Sequence, residues 1–149
     1  MSEIHLKLKA INNKLHEEPE IIELFTQGEF HYQNGAAYYI YEETEISGMP
    51  GVKTTLKVRP QSASIIRRGD FHSRMDLIKD EKTYTSYNTP YGQIDMEVFT
   101  HAILVDIDPQ TGYGHIKLSY YLNIMGEELN NTIELTIGKD QGALMENLN

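Results

Sequence analysis

In the stretch Gly114-His115-Ile116-Lys117-Leu118-Ser119-Tyr120-Tyr121-Leu122-Asn123-Ile124, five apolar residues (116, 118, 120, 122 and 124) alternate strictly with polar or second-rank positions. A repeat of two residues is the period of a strand with one face buried, and it leaves little room for a helix. The same alternation recurs outward in both directions. Ile4, Leu6, Leu8 and Ala10 alternate with Glu3, His5, Lys7 and Lys9, and Ile22, Leu24, Phe30 and Tyr32 share one face of a long strand over 20–33. Further strands are predicted over 36–44, 52–58, 63–68, 71–78, 83–88, 93–105 and 131–138. In 93–105 the apolar face shifts near Phe99, from Ile94, Met96 and Val98 to Ile103 and Val105, which predicts a bulge there.

Short turns join these strands. Asn34-Gly35 is a type I′ signal, and Gly69-Asp70, Lys79-Asp80-Glu81-Lys82, Thr89-Pro90-Tyr91-Gly92 and Asp108-Pro109-Gln110-Thr111-Gly112 supply others. Sequential hairpins make an antiparallel meander, and closure removes its exposed edges. The predicted fold is all-β, a single antiparallel up-and-down β-barrel of about ten strands spanning 1–149. Residues 139–149 read as a loose or briefly helical tail. Segments 11–19 and 45–51 are less patterned, and the second, with Gly48-Met49-Pro50-Gly51, is expected as a mobile loop over a barrel mouth.

At 149 residues the chain has one domain's length, enough to bury roughly 68% of its unfolded surface. It contains no Cys and no Trp but ten Tyr, with 13 basic and 22 acidic residues giving a formal charge of 13 − 22 = −9. Absence of Cys excludes disulfides, thiolate-bound zinc, iron–sulfur clusters and thiol nucleophiles. No apolar run reaches the length of a membrane span, and the first residues lack the continuous apolar core of a signal peptide. A soluble cytoplasmic protein is expected. Residues 51–100 carry eight basic and six acidic groups inside this acidic chain, but the repulsive overall field argues against nucleic acid.

No catalytic set, metal site or cofactor is called for. Asp106 to Gly112 fails as a calcium loop because its Gly is one place late and Lys117 stands where a bidentate Glu is required. Gly48 to Thr54 fails as a P-loop because a strand follows it. The six His show no ligand spacing.

Tyr39-Ile40-Tyr41-Glu42-Glu43-Thr44, Thr54-Thr55-Leu56-Lys57-Val58, Ile66-Arg67-Arg68-Gly69, Arg74-Met75 and Tyr87-Asn88-Thr89-Pro90-Tyr91-Gly92, in this order and spacing, resemble the YwiB-like family of bacterial proteins. That resemblance covers nearly the whole chain. It implies a lipocalin-like (calycin) barrel and a Gram-positive bacterial cytoplasm, and it implies no catalytic residue and no ligand.

Hairpin parity gives the interior independently, because directly paired residues share a face. A two-residue Asn34-Gly35 turn pairs Gln33 with Ala36 and puts Tyr32, Phe30, Tyr39, Tyr41 and Glu43 on one side. A two-residue Gly69-Asp70 turn pairs Arg68 with Phe71 and carries Ile66 and Arg68 onto the Met75 and Leu77 face. This count leaves Arg67, His72 and Arg74 outside. The Lys79–Lys82 tip pairs Leu77 with roughly Tyr84, and Tyr120 comes from 114–124. The expected interior therefore holds Arg68, Glu43, Tyr32, Tyr39, Tyr41, Tyr84 and Tyr120. One reading is a site for a small anionic or amphipathic molecule, its head on Arg68 and its body between phenols. Another is a filled barrel in which Arg68 pairs with Glu43, acting as an interaction module through an outer basic stripe or a strand edge. An enzyme using these groups as acid and base is the third.

Overall fold

A computed structural model of the chain describes residues 2–14, 17–43, 51–69, 72–89 and 91–146. Ten strands follow one another: β1 Ser2–Lys14, β2 Glu20–Gln33, β3 Ala36–Glu42, β4 Lys53–Arg59, β5 Ser62–Arg68, β6 Ser73–Ile78, β7 Lys82–Thr89, β8 Gly92–Ile107, β9 Gly114–Ile124 and β10 Glu127–Gly138, then a short helix α1 Gln141–Glu146. All belong to one antiparallel sheet in the order β6-β5-β4-β3-β2-β1-β10-β9-β8-β7. Pairing of β1 with both β2 and β10 rolls the sheet into a nearly closed barrel. The residues expected to form a loop over the mouth lie, apart from Gly51, outside the described residues, as do Asp70 and Phe71.

Local chemistry accounts for the register. Asn34 and Gly35 both take positive φ (53° and 76°), the requirement of a type I′ turn, and Gln33 pairs with Ala36. Met125 and Gly126 do the same at 52° and 88°, so β10 starts at Glu127, earlier than the 131 expected. In β8 the register with β9 shifts between Thr100 and Ala102. That bulge switches the inward face from Met96, Val98 and Thr100 to Ile103, the change the apolar pattern announced near Phe99.

Between β6 and β7 there is no ladder. Asp80 N–H donates to Thr100 O at 2.9 Å and Lys79 N–H to Gln61 O at 3.1 Å, so this tip is held by β8 and by the β4–β5 turn. The Thr83 hydroxyl donates to Asp76 O at 2.6 Å and the Thr85 hydroxyl to Arg74 O, spanning the seam with side chains. The expected Leu77–Tyr84 pairing does not form, because β7 takes its register from β8, with Thr83 opposite Val98 and Tyr84 opposite Glu97. Tyr84 thereby points outward.

One end of the barrel is plugged. The connection after β8 turns back through Gly112 N–H to Asp108 O at 2.7 Å, and Tyr39 donates its buried hydroxyl to Gly112 O at 2.8 Å. The Phe30 and Tyr39 rings lie 5.1 Å apart beneath it. Gly112 has φ +80°, and a Cβ there would sit 2.6 Å from the Phe30 ring. Gly126, at +88°, has open space around it.

These two glycines form a matched pair. Gly126→Ala should cost about 1 kcal/mol of left-handed strain, whereas Gly112→Ala adds overpacking against Phe30 and should cost about 2–4 kcal/mol in total. Urea unfolding of both variants measures the difference. Equal losses would show that the plug does not depend on this contact.

Candidate ligand site in the barrel interior

Away from the plug, towards the end bearing the β1–β2, β3–β4 and β5–β6 connections, the interior encloses a cavity of about 260 Å³. Its wall is largely aliphatic, with Leu8, Leu24, Leu56, Ile65, Leu118 and Leu135 among its residues, and Glu43, Thr54, Tyr41, Arg67, Tyr120, Asn131 and Asn12 add the polar part. Alternation on neighbouring strands puts these groups together: Tyr41 pairs with Thr54 across β3 and β4, Thr54 with Arg67 across β4 and β5, and Tyr120 with Asn131 across β9 and β10.

Glu43 follows β3, and its side chain is only 4% exposed. The Thr54 hydroxyl donates to Glu43 Oε1 at 2.6 Å. Arg67 Nε lies 3.9 Å from the same oxygen, with 23% of its side chain exposed. That distance balances charge but is too long for a hydrogen bond. Arg67 Nε and Asn131 Oδ1 are both buried without a hydrogen-bond partner. Such atoms cost about 1–3 kcal/mol each when left unsatisfied.

Burial raises the Tyr41 phenol well above its ordinary value, and the Glu43 carboxylate pushes it further while Arg67 opposes. Tyr120 is raised by burial, with Arg67 and the Asn131 side chain acting against it. Tyr39 is raised by burial. Near neutral pH these are uncharged phenols.

Of the residues predicted for the interior, Glu43, Tyr39, Tyr41 and Tyr120 are buried. Tyr39 belongs to the plug, and the other three line the cavity. Tyr32 pairs with Ala37 as expected, but near the end of β2 it is 47% exposed. Tyr84 is 75% exposed, for the register reason above. Arg68 is exposed and Arg67 takes its place inside. Ile66 pairs with Arg74 and Arg67 with Ser73, so the β5–β6 connection spans an odd number of residues where an even one was counted, and every side chain of β5 changes face. Counting instead from Arg59 opposite Ser62 puts Arg67 on the Thr54, Leu56 and Val58 face. Thr54 and Asn131 were missed as well, although each continues an apolar alternation, Leu56 and Val58 in one case and Ile133 and Leu135 in the other. Among the described residues no group of three or more His, Asp or Glu could hold a metal ion, and no helix is long and apolar enough to cross a membrane.

A family model described as a domain of unknown function, DUF1934, matches residues 4–137. The crystal structure of the ywiB protein from Bacillus subtilis superposes with a TM-score of 0.72 at 22% identity, covering 93% of each chain, a likeness of fold. No curated protein matches the chain.

The buried phenols fix an alkaline response. Their raised values mean that the folded chain keeps protons which the unfolded chain releases above about pH 10. This stability is fully present below that pH and is lost as the pH rises beyond it. Phenolate absorbance should show Tyr39, Tyr41 and Tyr120 ionising only with unfolding, while half-buried Tyr121 is pushed up to about 12 chiefly by its hydrogen bond to Glu128. All ten tyrosines titrating together before unfolding would contradict the placement.

Proposed function

The chain belongs to the DUF1934 family, the YwiB-like proteins, and from that premise we propose that its barrel is a lipocalin-like binding module that takes up a small amphipathic molecule without transforming it. The observation that carries this reading is the cavity of about 260 Å³ whose aliphatic wall meets a polar end with two buried, unpartnered atoms, Arg67 Nε and Asn131 Oδ1. Pockets for small molecules begin at about 300 Å³, and at about 260 Å³ this cavity lies just below that, so its occupant is correspondingly small. An apolar body against Leu8, Leu24, Leu56 and Leu118 would release water from these walls, and a polar head would complete the hydrogen bonding of Arg67 and Asn131.

A barrel packed solid would serve an interaction module better, and a cavity of this size counts against that packing. Phenols raised above their ordinary value serve as neutral hydrogen-bonding groups at neutral pH, which favours binding over acid–base chemistry. The bacterial cytoplasmic setting is part of the proposal and rests on the resemblance. Arg67, Glu43, Tyr41, Tyr120, Thr54 and Asn131 are the residues assigned to the site. Arg68, Tyr32 and Tyr84 are left to the surface.

Native mass spectrometry of freshly purified protein tests the reading. The wild type should carry a small-molecule adduct, Arg68→Ala should retain it, and Arg67→Ala should lose it, with thermal unfolding of both variants confirming that they fold. Arg67→Gln, which keeps more of the side chain's bulk, serves where the alanine variant does not fold. A wild type without adduct, or a folded Arg67 variant that keeps it, overturns the proposal.

A further inference from the structure

Polar groups at the cavity end specify more than a polar head. Glu43 Oε1 already accepts from Thr54, and Arg67 Nε stands 3.9 Å from that same oxygen. The carboxylate therefore offsets the guanidinium charge without taking its Nε proton. Arg67 Nε is buried with no acceptor. Asn131 Oδ1, from β10 on the strand pair with Tyr120, is buried with no donor. Of the cavity-lining residues' fully buried side-chain atoms, the two without a partner are thus one donor and one acceptor, while the charges of Glu43 and Arg67 sum to zero.

Resting on the interior-binding reading, we infer that the occupant's head group is net neutral and presents an acceptor to Arg67 beside a donor to Asn131. An uncharged carboxamide has this pattern, and so does the zwitterionic head of an apolar amino acid. A lone carboxylate does not. Brought to Arg67, it also approaches Glu43, and attraction and repulsion of similar size at similar distance cancel, leaving its desolvation uncompensated. A lone ammonium drawn to Glu43 meets Arg67 in the same way. Both ions also fail to supply one of the two missing partners.

One apolar body with four heads tests this on the full chain: 4-methylpentanamide, leucine, 4-methylpentanoate and 4-methylpentylamine. Binding is read from backbone amide shifts of Tyr41, Thr54 and Asn131, which separates interior from surface binding. The amide or leucine should bind about tenfold or more tighter than either ion. Glu43→Gln should then raise the affinity for 4-methylpentanoate about tenfold, because Arg67 loses its counter-charge. Where Glu43→Gln does not fold, Arg67→Gln should raise the affinity for 4-methylpentylamine by a similar factor. An ion that binds the wild type as tightly as both neutral heads overturns this inference alone, as does an unchanged ranking in a folded variant. No interior shift with any of the four overturns the interior reading together with it.

Discussion

Pairing of the first strand with the last makes everything else in this molecule conditional. From His5 opposite Gly138 to Lys14 opposite Leu129, β1 and β10 run side by side without a break. Without that ladder the strands fall into two separate sheets, β1 to β6 and β7 to β10, each with its apolar face open to water. With it, Leu8 and Ala10 on one side and Asn131, Ile133 and Leu135 on the other complete the cavity wall. The contact joins residues more than a hundred positions apart, so its closure entropy must be met before burial rewards it. Folds dominated by such distant pairings form slowly. The core cannot be finished until the first and last strands of the chain have met.

Two ends of one tube are treated in opposite ways by the residues that line them. At the plugged end a phenol reaches a backbone carbonyl, Tyr39 to Gly112, and Phe30 fills the space beneath. The buried Tyr39 hydroxyl has its partner, and a Cβ at Gly112 would already meet the Phe30 ring. At the other end Glu43, Thr54 and Arg67 are gathered from β3, β4 and β5 with their mutual hydrogen bonding incomplete. A barrel selected for stability alone could have used aliphatic side chains there, since a buried charge pair seldom outperforms well-packed hydrocarbon. The contrast within one interior is what gives the polar end its meaning.

All ten strands, the Asn34-Gly35 turn and the bulge in β8 were legible in the sequence, because each depends on short-range alternation or on turn chemistry. Tyr41 and Glu43 were legible by counting from the Asn34-Gly35 turn, and Tyr120 from the alternation of 114–124 alone. Arg67 was not. Its face depends on whether the β5–β6 connection has an odd or even length, and Gly69-Asp70 looks like a two-residue turn by composition. One residue of error exchanges Arg67 and Arg68 without altering any propensity. Tyr84 was misplaced for a different reason: its neighbours in sequence are on β6, but its hydrogen bonds go to β8, and no local signal marks a hairpin that never zips.

That unzipped pair, β6 and β7, has a topological consequence. Hydrogen bonding around the ring is interrupted there, whereas residues 5 and 138 are firmly joined. The interruption in the ladder and the interruption in the covalent chain therefore fall on different sides of the barrel. A circularly permuted chain, linked from β10 into β1 and opened within 79–81, would visit its strands in their spatial order from one edge of the sheet to the other. Backbone continuity is spent on a seam that, among the described residues, the Thr83 and Thr85 hydroxyls bridge, and the continuous ladder is left to two segments with no short link between them.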